Sequence, residues 1–239
     1  RALAYVGAAI SDVAHHHPDA DVRAESLATY EYLVPVIKGW ATEMSQDVTR
    51  DGVQVHGGMG FIEETGAAQH YRDAKILTIY EGTTAIQAND LVGRKTVRDG
   101  GAVAKAIIAQ VRATEAQLGE LTGADFQAMH RQLAEGSAAL AAVVVYVVAN
   151  MKTDIKAVFA GSVPYLKLAG IVLGGWQMAR AAVVAQQKLG EGSGDAAFHK
   201  AKIATARFFA DHILSQAPGL RATIIDGSAG VMALSEEQF

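Results

Sequence analysis

Residues 51–94 read DGVQVHGGMGFIEETGAAQHYRDAKILTIYEGTTAIQANDLVGR, and two features in that stretch govern how the rest of the chain is read. The first is Gly57-Gly58-Met59-Gly60, a sharp turn after a helical run. Its amides lack side-chain cover and can approach a phosphate or a flat ring closely, although an ordinary helix C-cap uses the same residues. The second is Tyr80-Glu81-Gly82-Thr83-Thr84, just ahead of another helical run. Glu81 can project from a loop into a cleft while Thr83 or Thr84 serves as N-cap; a carboxylate there can equally just complement the helix dipole.

Outward from this stretch the pattern is helical throughout. The chain has only four prolines, and its alanine-rich runs carry few turn signals, which predicts an all-α protein. A first helix is expected over Arg1 to His16, stopping near His17-Pro18-Asp19. Arg23 to about Val53 reads as one or two helices with Pro35 as a boundary or kink. A short helix follows around Ala67 to Arg72, and another starts after Gly82 and runs to about Val97. Asp99-Gly100-Gly101 is the expected domain linker, dividing the chain into 1–98 and 99–239.

Beyond that turn, four apolar stripes with helical spacing describe a second, antiparallel bundle. They are Ile107, Val111, Leu118 and Leu121; Phe126 through Leu133, Leu140, Val144 and Val147 to Met151; Leu168, Val172, Trp176, Ala179 and Val183; and Ile203, Ala206, Ala210 and Ile213. Gly170, Gly174 and Gly175 interrupt the third stripe at roughly 1 kcal/mol each against alanine, which predicts close helix–helix contact there. Trp40, Trp176 and the phenylalanines are expected in the core.

Composition narrows the function classes. A net charge of -4 without a basic run argues against a nucleic-acid surface. Zero cysteines exclude disulfides and thiolate chemistry, and no metal site is expected. The longest apolar run, Ala138 to Ala149, is short of the about 20 residues that cross a bilayer, so no membrane span is expected. The opening on Arg1 and ALAYVGAAI is already mid-helix in character, and the chain reads as a soluble, cytoplasmic protein that begins inside something larger.

The motifs then combine. Gln54-Val55-His56-Gly57-Gly58-Met59-Gly60-Phe61, Tyr71-Arg72-Asp73-Ala74-Lys75-Ile76 and Tyr80-Glu81-Gly82-Thr83-Thr84-Ala85-Ile86-Gln87 fall within 34 residues. In order and spacing they resemble the C-terminal helical domain of the acyl-CoA dehydrogenase family, over roughly residues 1–97. The helices after the linker resemble the additional C-terminal domain of longer members, notably the 3-(methylthio)propanoyl-CoA dehydrogenases, on pattern and on fragments such as Gly174-Gly175-Trp176 and Ala204 to Phe209.

The resemblance implies FAD-dependent α,β-dehydrogenation of an acyl-CoA thioester to the 2-enoyl-CoA. It makes Glu81 the base that removes the α-proton, while flavin N5 accepts the β-hydride. It places Gly82 beside the thioester and Thr83 on the local FAD, and sets Gln54, Val55, His56, Gly57 and Gly58 against the flavin of a neighbouring subunit. It also implies a homo-oligomer, dimer or tetramer, with electron-transferring flavoprotein as acceptor. The chain departs from shorter members at Ala85, where they often carry a polar side chain; any cofactor contact made there is lost or supplied elsewhere. The family's other domains supply much of the flavin and CoA contact, so the segment alone is expected to be inactive.

Two other readings share the fold. An acyl-CoA oxidase passes electrons to oxygen, but the placement of Glu81 favours a dehydrogenase. A non-catalytic assembly or binding module would not need Glu81. Arg72-Asp73 is expected as a structural ion pair and Glu63-Glu64 as an exposed loop. His15-His16-His17 point about 100° apart on a helix and cannot converge on one ion.

Overall fold

The structure is a computed structural model that describes residues 1–238. Among the described residues there are twelve α-helices: α1 (Ala2–His16), α2 (Ala20–Val55), α3 (Gly58–Phe61), α4 (Ala67–Lys75), α5 (Thr84–Asp90), α6 (Ala102–Gly119), α7 (Ala124–Asn150), α8 (Ile155–Ala160), α9 (Ser162–Gly190), α10 (Ala196–His212), α11 (Ala217–Asp226) and α12 (Ser228–Val231). A π-helical segment, Leu91–Val97, continues α5, and no strand forms among the described residues. The all-α expectation holds.

Local chemistry sets the ends. The Asp19 carboxylate accepts from the amides of Asp21 and Val22 and starts α2 directly after the His17-Pro18 stop. Asp154 and Asp195 cap α8 and α10 in the same way. Pro35, expected to divide α2, sits buried inside one continuous helix. Packing of the helix on both sides outweighs the amide that proline lacks.

The apolar stripes face inward as their spacing demands. Ile107, Val111, Leu118, Phe126, Met129, Leu133, Leu140, Val144, Val147, Leu168, Val172, Trp176, Ala179, Ile203, Ala206 and Ala210 are all buried. Val143 and Val144 are fully buried within α7, so helical period wins over local strand preference. α7 and α9 are long and apolar enough to cross a membrane, with mean hydropathy of 1.7 and 1.4 over their most apolar windows. Both pack into the bundle, and their apolarity is that of central core helices. Three phenylalanines depart from expectation: Phe61, Phe198 and Phe208 are exposed, whereas Phe126 is buried.

At the expected linker, Asp99-Gly100-Gly101, the chain makes a tight turn. Gly100 and Gly101 adopt left-handed φ of 65° and 78°. The Asp99 carboxylate accepts from the amides of Gly101 and Val103, both at 2.9 Å. The apolar core runs on across this turn, because α9 packs against α2 and α5 as well as against α6, α7 and α10.

Glycines make that approach possible. A Cβ on Gly170 would stand 2.2 Å from Trp40 Cγ, and one on Gly174 would stand 2.8 Å from the far edge of the same indole. Gly175 faces Leu214 and Phe209 in the same manner. The contact expected from the three glycines is therefore formed: with α2 through Gly170, with α2 and α10 through Gly174, and within 162–216 through Gly175. Deeper in the junction, a buried chain of hydroxyls joins Tyr32 of α2 to Tyr165 of α9 at 3.1 Å and Tyr165 to Thr96 at 2.9 Å. Burial pushes both phenols above the usual tyrosine range.

Candidate active site

The carboxylate singled out by the sequence stands on a segment held from below by α2. Lys38 donates to the Leu77 carbonyl at 2.7 Å, and its ammonium lies over the Tyr80 ring, 5.4 Å from the centroid. A 3-10 turn over Ile76–Thr78 brings the chain round, and Glu81 follows with φ of 57°. It is the one non-glycine residue with positive φ among the described residues. Backbone of this kind costs about 1–3 kcal/mol and persists only where the surroundings enforce it. Glu81 itself is exposed.

Gly82 continues the turn at φ 91°, and a Cβ on it would stand 2.7 Å from the Gln87 amide nitrogen. The backbone conformation therefore favours glycine at this position, and any side chain would have to displace the Gln87 amide. Thr83 occupies the N-cap position of α5 without a side-chain cap bond. The Thr84 hydroxyl instead donates to the Glu43 carboxylate on α2. Gln87, one turn into α5, reaches back and donates to the Glu81 carbonyl at 3.1 Å. Lys38, Glu43 and Gln87 thus hold the loop; sequence reading assigned none of them a role. Gln87 lay inside the quoted motif, but only the fold shows its amide turned back on Glu81.

The glycine turn lies elsewhere on α2. Gln54 is beyond Glu43 by ~16 Å along the helix axis at 1.5 Å per residue, so the Gln54–Gly58 set and the Glu81 loop present two separate surfaces. Gly57 ends α2 with φ 60°, and its amide donates to the Gln54 carbonyl at 3.0 Å. Gly60 is buried, and a Cβ there would fall 2.1 Å from the Val53 carbonyl oxygen. Gly57 and Gly60 thus meet the demands of a helix C-cap. Gly58 does not: its φ lies outside the positive region and a Cβ would meet nothing within 4 Å. Val55 is 86% exposed and His56 is exposed, its ring Nδ1 bonding the Gly52 carbonyl at 2.8 Å.

One smaller expectation is corrected. Arg72 pairs with Glu63 at 2.5 Å and not with Asp73. Adjacent helical residues diverge by about 100°, whereas the 3-10 turn Glu63–Thr65 brings Glu63 across the start of α4. The exposed Glu63-Glu64 pair belongs to that turn. His15 and His17 each engage the local backbone, His15 at the Ser11 carbonyl and His17 at the Asp19 amide.

Comparison with known proteins matches the two halves separately. Residues 2–96 match the family described as acyl-CoA dehydrogenase, C-terminal domain, and residues 107–235 match that described as acetyl-CoA dehydrogenase C-terminal like. The chain is 47% identical over 235 residues to 3-methylmercaptopropionyl-CoA dehydrogenase of Ruegeria pomeroyi, covering 98% of this chain and 40% of that protein. It is 32% identical over 239 residues to a broad-specificity linear acyl-CoA dehydrogenase of Mycobacterium tuberculosis, covering 97% of this chain and 38% of the relative. A 50-residue segment, 21% of this chain and 13% of the relative, is 42% identical to the CarC subunit of the caffeyl-CoA reductase-Etf complex of Acetobacterium woodii. The chain thus spans about two fifths of the length of the first two relatives. Two adjoining family matches over an all-helical architecture place it plainly: the chain belongs to the acyl-CoA dehydrogenase family.

Proposed function

We propose that this segment forms the C-terminal part of a flavin-dependent acyl-CoA dehydrogenase in which Glu81 removes the α-proton of a bound acyl-CoA thioester. The observation that carries the reading is the conformation of Glu81: an exposed carboxylate held at φ 57° between the Tyr80 anchor and Gly82. A strained, outward-pointing acid enforced from beneath is how a fold presents a base to something that docks on it. A thioester α-proton is a very weak acid, so the carboxylate needs a desolvated site and the developing enolate needs stabilisation. The Glu81 amide, turned by the left-handed backbone, and the bare backbone of Gly82 are the groups here that serve the thioester carbonyl.

The residues present fit FAD. The open Cβ direction of Gly58 and the exposed turn Gln54–Gly58 leave room for a flat or phosphorylated group, and the Thr83 hydroxyl is not consumed by its own helix cap. Gln54, Val55, His56, Gly57 and Gly58 would hold the FAD of a neighbouring subunit, and Thr83 the local one. When bound, FAD supplies the two-electron acceptor for the β-hydride. The separation of the two surfaces along α2 supports a homo-oligomer, as do the exposed Val55 and Phe61. An electron-transferring flavoprotein is the proposed acceptor, in keeping with the complex named for the Acetobacterium relative. A cytoplasmic location belongs to the same proposal.

The test is made in the full-length flavoprotein that carries this segment. Anaerobic mixing with 3-methylmercaptopropionyl-CoA, the substrate named for the Ruegeria relative, and with linear acyl-CoAs should bleach the flavin. Glu81→Gln should keep FAD and acyl-CoA binding and slow the bleaching by about 10²–10⁴-fold. Bleaching at the unmodified rate would assign the base elsewhere.

A further inference from the structure

The left-handed backbone at Glu81 has a specific restraint, and it comes from within α5. Gln87 turns its side chain back toward the start of its own helix and donates from Nε2 to the Glu81 carbonyl at 3.1 Å. The amide lies so close beneath the turn that a single carbon on Gly82 would stand 2.7 Å from it. The other end of the Gln87 side chain is anchored by packing. Its Cβ is packed at Gly39 of α2, where an added Cβ would meet Gln87 Cβ at 3.2 Å and Leu166 Cδ2 of α9 at 2.5 Å. Three helices, one of them from the C-terminal half, converge there without room for a methyl group. Below them the base of α5 is closed by Ala88 and Leu91, both fully buried.

We propose that Gln87 is the positioning residue for Glu81: its amide fixes the Glu81 carbonyl, and with it the left-handed turn that aims the carboxylate. This rests on the reading of Glu81 as the base. Proton abstraction from carbon demands near-attack geometry, and an error of about 1 Å in a positioned group can cost about 10²-fold in rate. The Gln87 amide touches the backbone of the Glu81 turn and leaves the Glu81 carboxylate and the rest of the exposed surface unaltered. The proposal therefore separates chemistry from affinity. Loss of the Gln87 amide should act on kcat and leave KM in place.

The experiment compares Gln87→Met and Gln87→Glu with Glu81→Gln in the full-length holoenzyme. It reads FAD content, thermal midpoint, KM for acyl-CoA and the anaerobic rate of flavin reduction. Methionine keeps the length and apolar stem of glutamine without a donor; glutamate keeps its shape and sets an oxygen against the carbonyl. Each Gln87 variant should retain FAD and a near-normal melt, with KM within about twofold and reduction slowed roughly 10–100-fold. Should methionine destabilise the fold, the isosteric glutamate variant carries the same expectation. Reduction at the unmodified rate in the variant that folds would overturn the proposal. So would a loss that merely parallels lost FAD and lost melting temperature. An unslowed Glu81→Gln enzyme would instead remove the assignment of the base itself, and the role of Gln87 with it.

Discussion

The indole of Trp40 lies directly on the backbone of Gly170, where an added Cβ would stand 2.2 Å from Cγ and 2.4 Å from Cδ2. This contact joins α2, which carries Glu43 and the Gln54–Gly58 turn, to the central helix of the C-terminal half. In an open helical site, Gly→Ala gains up to about 1 kcal/mol of helix propensity. At Gly170 the methyl meets a ring wedged between helices, and overpacking of this kind costs about 1–3 kcal/mol. Gly170→Ala should therefore lower the thermal midpoint, while Gly219→Ala, where a Cβ meets nothing within 4 Å, should hold or raise it. Equal effects at the two sites would contradict the packing described here.

The hydroxyl chain Tyr32–Tyr165–Thr96 gives a pH-dependent expectation. Desolvation by burial, the largest cause, raises both phenols above the ordinary tyrosine value of 10.0, Tyr32 the more strongly. A raised folded-state value means that folded protein holds these protons more tightly than unfolded chain. The stability they contribute is intact below pH 10 and falls as pH rises beyond it. Spectrophotometric titration of the seven tyrosines should therefore show two that ionise only with unfolding. Tyr165→Phe should remove that late step for one, leave the Tyr32 and Thr96 hydroxyls without each other's bridge, and cost about 1–3 kcal/mol.

Periodicity made the large helices legible, because α6, α7, α9 and α10 each bury one continuous face and the stripe records it. Stops written in single residues were legible too, as at His17-Pro18-Asp19. What escaped depends on distance in space. Pro35 reads as a break, yet α2 continues through it because the helix is packed on its neighbours. Arg72 reads beside Asp73, but its partner lies across a turn at Glu63. α11 is short, and its burial rests on Ala217 and Ile224, too few positions to form a stripe. The site was legible as motifs and not as mechanics: Lys38 meets the Leu77 carbonyl across 39 residues, and no local pattern announces it.

The division of the chain at Arg98/Asp99 is a proposal that expression of residues 99–239 alone would test. The four long helices of this segment pack on one another and bury Leu118, Leu133, Leu140, Val144, Leu168, Val172 and Ala206. The segment should give a helical circular-dichroism spectrum and a cooperative melt. Its midpoint should lie below that of residues 1–239, since α9 loses Trp40 and the Tyr32 hydroxyl. A spectrum without helix, or a melt without a transition, would make the two halves one folding unit.

The glycine turn separates a structural demand from a functional one. Gly60 is required by its own chain, since a Cβ would fall 2.1 Å from the Val53 carbonyl oxygen. Gly60→Ala should therefore destabilise residues 1–239 on their own, by about 1–3 kcal/mol. Gly58 carries no such demand, because its φ is not left-handed and its Cβ direction is open to 4 Å. Valine there should leave the circular dichroism and melt of residues 1–239 nearly unchanged, with only about 0.5 kcal/mol from helix propensity. In the full-length protein the same Gly58→Val should lower FAD content, since a branched side chain holds a flat ring away from the backbone. The pairing decides between the two readings of the turn. If Gly58→Val melts like Gly60→Ala and retains its flavin, the turn is a helix cap and nothing more. If it melts normally and loses flavin, the backbone at Gly58 is a cofactor surface.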